Sequence, residues 1–107
     1  MACEAQVDFV LAVPVLDVFN YLSSLPWIAH MKVQYVDRQR YVIHLSSGAS
    51  LASWGEDITM SFYDPMNGST RIVVNSKPKV PITLMDYGKN KKNIMNIQQY
   101  VVSLYSR

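Results

Sequence analysis

Glu56 is the residue of this chain whose setting most invites chemistry. It stands in a stripe of even-numbered residues, Ala52, Trp54, Ile58, Met60 and Phe62, that is otherwise apolar. A strand over 50–63 that keeps strict alternation would turn this carboxylate into an apolar face. There it is a candidate general acid, or the anchor for a polar group of a ligand. Gly55 offers the alternative: a β-bulge would shift the register and turn Glu56 outward. A strand this long has to bend somewhere, so the expectation is Trp54 inward, Glu56 outward and Trp27 exposed.

The other reactive side chains form no set. His30 and His44 would need a third ligand such as Asp37, Glu56 or Asp57, and no metal-ligand spacing connects them. Cys3 has no activating neighbour in sequence. No glycine-rich phosphate loop, nucleophile elbow or Ser-His-Asp set can be assembled. Accordingly no catalytic residue, metal or cofactor is expected, and an enzyme using Glu56 or His44 is the least favoured reading. Lys89, Lys91 and Lys92 crowd the start of a C-terminal helical pattern. Cations there oppose the positive end of the helix dipole unless an anion, such as phosphate or an acidic lipid head, lies between them. The plainer alternative is a solvated basic turn with Asp86 as countercharge.

These residues must be positioned by a small number of elements. Residues 5–13 read as a strand, and Pro14 then opens a helix whose face is Val15, Val18, Phe19, Leu22 and Leu25, stopped by Pro26. Period-two patterns follow over 31–35, 41–45, 50–63, 71–76 and 80–85, separated by turns at 37–39, 46–48 and 64–68 and a break at 77–79. From residue 89 to the last residue, Ile94, Ile97, Val101 and Leu104 recur at helical spacing. The order β-α-β-β-β-β-β-α predicts an α+β fold: a curved, mostly antiparallel sheet of about six strands with the C-terminal helix packed across it.

Composition limits the function classes. A chain of 107 residues is expected to be one domain, and it is long enough to bury a core without staples. Half of its residues are hydrophobic and 17% are charged, which excludes disorder by composition. A formal charge of +2, with a lysine cluster but no basic stripe interleaved with aromatics, argues against nucleic acid. The single cysteine fits a reducing compartment. The apolar start lacks a basic flank and carries Glu4, Asp8 and Asp17, so it reads as neither leader nor transmembrane segment. The expected location is cytoplasmic.

With this order in hand, the run Ala12-Val13-Pro14-Val15-Leu16-Asp17-Val18-Phe19-Asn20-Tyr21-Leu22, followed by Trp27, resembles the entry of the START/polyketide-cyclase-like helix-grip superfamily. The later runs Asn75-Ser76-Lys77-Pro78-Lys79 and Asp86-Tyr87-Gly88-Lys89-Asn90 are similar to endings of small uncharacterised bacterial proteins. The resemblance covers nearly the whole chain and lies more in topology than in any single motif. It implies a non-catalytic domain that binds a small amphipathic or lipid-like molecule between sheet and C-terminal helix. The apolar part would lie near Trp54, Met60 and Phe62, and the polar head would meet Glu56 or the Lys89 region. The alternative is a structural or protein-interaction module, a homodimer whose aromatic surplus (two Trp, seven Tyr, three Phe) covers a partner instead of lining a cavity.

Overall fold

The structure, a computed structural model, describes residues 4–48, 55–79 and 88–106. Its elements are β1 (Ala5–Leu11), α1 (Val15–Ser23), β2 (Trp27–Ile28), β3 (Met31–Asp37), β4 (Val42–Ser47), β5 (Glu56–Tyr63), β6 (Thr70–Pro78) and α2 (Lys89–Tyr105). The strands form one antiparallel sheet in the order β1-β6-β5-β4-β3-β2. The expected α+β fold, with a C-terminal helix across a curled sheet, is what the structure has.

Sequence accounts for the passage from β1 into α1. Pro14 cannot donate a backbone hydrogen bond, so it suits the entry of α1, where its carbonyl accepts from Asp17 and Val18. The Thr70 hydroxyl, buried at the start of β6, donates to the Val13 carbonyl at 2.6 Å and fixes the chain between β1 and α1. α1 then buries Val18, Phe19 and Leu22, the centre of its predicted face.

Strand boundaries differ from the sequence reading in several places: β4 runs to Ser47, where a turn was expected, and β5 begins only at Glu56. Trp27–Ile28 forms a two-residue strand against β3, too short to show any period. β6 runs on through Lys77 to Pro78, where a break was expected, and its pairing with β5 reaches past the proline to the bond from the Lys79 amide to the Gly55 carbonyl. The predicted strand at 80–85 lies outside the described residues.

The β2–β3 connection is a two-residue turn in which Ala29 and His30 both hold positive φ, 51° and 66°. That twist matches the strands but suits Asn-Gly better than side chains with an ordinary Cβ. Replacing Ala29-His30 by Asn-Gly should therefore stabilise the fold by about 1 kcal/mol. Chemical denaturation checks this, and an unchanged or lower midpoint would show that the two native side chains repay the strain.

The concave face of the sheet carries the core. Ile43, Leu45, Ile58, Met60, Phe62, Ile72 and Val74 are buried there against Phe19 and Leu22 of α1 and Ile94, Ile97 and Val101 of α2. α2 lies over β1 and β6, while α1 reaches β5. At the far end of α2, Tyr105 approaches Tyr21 and Asp17 of α1. Burial, with those two neighbours, raises the Tyr105 pKa above the ordinary phenol value.

Candidate functional site

Four polar side chains are enclosed where the concave face meets the first turn of α2. Glu56 and Ser76 have no exposed surface, and Asn90 and Asn93 are almost as deeply buried. Their positions follow from periodicity. Glu56 continues the inward row Ile58, Met60 and Phe62 of β5, and Ser76 continues Thr70, Ile72 and Val74 of β6. Asn90 and Asn93 extend the buried stripe of α2 by three- and four-residue steps from Ile94 and Ile97.

The groups satisfy one another. The Asn93 amide nitrogen donates to Glu56 Oε1 at 3.0 Å and to Ser76 Oγ at 3.3 Å. The Ser76 hydroxyl donates to Asn90 Oδ1 at 2.7 Å. Lys89 Nζ, on a side chain 28% exposed, lies 3.5 Å from Glu56 Oε1. Glu56 thus sits beside the amino-terminal turn of α2, the end of a helix that favours negative charge. It also supplies the countercharge that Lys89, the first residue of α2, needs there.

This arrangement corrects the expectation that Glu56 points outward. Gly55 does adopt positive φ, 104°, as a bulge glycine would. It does so before the ladder begins, however, and from Glu56 onward β5 pairs in unbroken register with β4 and β6. The register shift lies in β3 instead, between Val33 and Tyr35. With no bulge inside β5, strict alternation carries Glu56 to the concave side.

The other predicted residues are placed as follows. Met60 and Phe62 share the concave face with Glu56, and Phe19 of α1 packs edge-on to Phe62 with ring centroids 5.2 Å apart. Trp54 lies outside the described residues, as do Asp86, the proposed countercharge of the lysines, and Cys3. Lys89 turns to Glu56, whereas Lys91 and Lys92 are exposed. Trp27 is 55% exposed, as expected.

His44 lies between the buried residues Ile43 and Leu45 and stacks at a tilt on Tyr35 of the outer face. The sheet therefore separates His44 from Glu56, and those two do not form an acid–base pair. His30 is exposed at the β2–β3 turn. Among the described residues no three His, Cys, Asp or Glu side chains gather as a metal site would require, and no helix is long and apolar enough to cross a membrane.

Sequence reasoning missed Ser76, Asn90 and Asn93. The signal was present as polar residues at positions that periodicity assigns to the core.

No family model matches the sequence, and no curated protein matches it either. Solved structures do match. A START superfamily protein from Mycobacterium smegmatis superposes with a TM-score of 0.68 at 9% identity, over 96% of this chain and 97% of its own. The ZhuI aromatase/cyclase from Streptomyces sp. R1128 gives 0.60 at 12% identity, over 99% of this chain and 87% of its own. Ara h 8.0201 gives 0.57 at 14% identity, over 96% of this chain and 99% of its own. At these identities the likeness is one of fold. The chain has the helix-grip fold that these structures share.

Proposed function

We propose that this protein binds a small amphipathic molecule between the concave face of its sheet and α2, without transforming it. The polar group of that molecule engages the Glu56–Lys89–Asn93 cluster. Its apolar part lies along Ile58 and Met60 of β5 and the Ile94–Ile97 side of α2.

The observation that carries the reading is the enclosed polar cluster itself. Burying a carboxylate costs several kcal/mol even when it is paired, and well-packed apolar residues at the same positions often serve stability equally well. A few charged and amide groups set among apolar side chains are the usual composition of a small-molecule site. The fold supports the same reading, because it places the cluster between sheet and helix. Separation of His44 from Glu56 by the sheet argues for binding over acid–base catalysis.

Native mass spectrometry of freshly purified protein provides the test. The expected result is a monomer carrying extra mass that is released by denaturing solvent. The Glu56→Gln and Lys89→Met variants, if still folded by circular dichroism, should carry less of it. An unliganded mass, together with failure to take up a fluorescent fatty acid, would overturn the reading. If the unliganded species were also a dimer, the interaction-module alternative would replace it.

A further inference from the structure

All six lysines of the chain lie at one end of the fold. Register establishes this. Trp27 pairs with Lys32, Lys32 with Ser46, Ser46 with Asp57, and Asp57 with Lys77. These five residues form one transverse row on the outer face, because directly opposed residues in a sheet point the same way. Lys79 follows just past β6, and its ammonium donates to the Ser46 hydroxyl at 2.6 Å. α2 begins at the same end, since Asn90 is bonded to Ser76 and Lys89 to Glu56. That places Lys91 and Lys92 there as well.

Lys32, Lys77, Lys79, Lys91 and Lys92 are all exposed. The described acids at this end are fewer. Glu56 is buried and paired with the half-buried Lys89, Asp57 faces Lys77 across the ladder, and Glu4 accepts from the Asn75 amide at 2.6 Å. The described arginines lie elsewhere. Arg38 and Arg40 flank the β3–β4 turn at the opposite end, and Arg71, near the start of β6, is paired with Asp8.

We propose that this lysine pole is a docking surface for an anionic lipid bilayer. Clustered exposed lysines are attracted to anionic headgroups as point charges, while base readout relies most often on the bidentate fork of arginine, which the described pole lacks. Exposed Trp27, opposite Lys32 at the rim of the row, supplies the amphipathic ring that settles at headgroup depth. The inference does not rest on the ligand reading. A protein with no bound molecule would dock in the same way, so either conclusion can fail alone.

Vesicle co-sedimentation tests it. The protein should sediment with mixed phosphatidylcholine–phosphatidylglycerol vesicles at low salt, stay in solution with pure phosphatidylcholine, and be released as sodium chloride rises. Replacing Lys77, Lys79, Lys91 and Lys92 together by Gln should lower partitioning roughly tenfold or more, as expected from removing four juxtamembrane charges. Replacing Arg38 and Arg40 by Gln should leave it unchanged. In a Trp54→Phe background, the emission of Trp27 should shift to the blue on anionic vesicles only. Inorganic phosphate should release the protein no better than chloride at matched ionic strength. Equal partitioning into neutral vesicles, an unaffected quadruple variant or selective release by phosphate would each overturn the proposal. So would binding to duplex DNA without binding to vesicles.

Discussion

Ile97→Ala should lower the unfolding free energy by about 2–5 kcal/mol, the range for truncating a large aliphatic side chain in a core that cannot collapse around the loss. Ile97 is fully buried and lies between Ile94 and Val101 in the stripe that seats α2 on β1 and β6. For a domain of this size each kcal/mol moves the melting temperature by about 4–8 °C, so the shift is large in any thermal scan. The same logic makes removal of the chain after Lys92 far more damaging. Without Ile94, Ile97 and Val101 the concave residues Ile72 and Val74 would face water. The expected product is insoluble, or retains far-ultraviolet signal while losing its tertiary signal. A melt unchanged by Ile97→Ala would mean that α2 is not seated on the sheet.

The stripe of α2 shows how far a sequence pattern reaches. Counting apolar residues alone finds Ile94, Ile97, Val101 and Leu104, and so finds the helix and its seat. The same step taken backward lands on Asn93 and Asn90, which are buried just as the isoleucines are. A pattern that scores only apolar residues ends where the site begins. Ser76 is lost for the same reason, since alternation from Ile72 and Val74 places it inward but its polarity reads as a strand end.

Glu56 illustrates a different limit. The sequence presents both a carboxylate in an apolar stripe and a glycine able to turn it out, and the two readings differ only in where the strand starts. The glycine takes the positive φ that a bulge would need, one residue too early to act as one. Strand starts depend on which carbonyls find partners across the sheet, here the Gly55 carbonyl accepting from Lys79 at 3.0 Å, and that is a tertiary fact. The lysine pole was equally hidden. Lys32 and Lys77 are distant in sequence and meet in one row only through the registers of four strands. What could be read was the element order and the chemistry of single residues. What could not was the pairing that brings those residues together.

Asn93→Leu should cost about 2–4 kcal/mol, because it leaves a fully buried carboxylate without its amide donor and removes the second partner of a buried hydroxyl. The size depends on the charge it was holding, so the informative measurement is a double-mutant cycle with Glu56→Met. Removing the carboxylate alone should cost much less. The Lys89 ammonium, already partly exposed, can turn to water, and Asn93 keeps its bond to Ser76. In the Glu56→Met background, Asn93→Leu should then lose only the weaker Ser76 contact, giving a coupling energy of about 1–3 kcal/mol. Urea denaturation of the four proteins supplies the cycle. Strict additivity would show that Asn93 does not hold the carboxylate, and that the cluster is a set of independent bonds instead of one network.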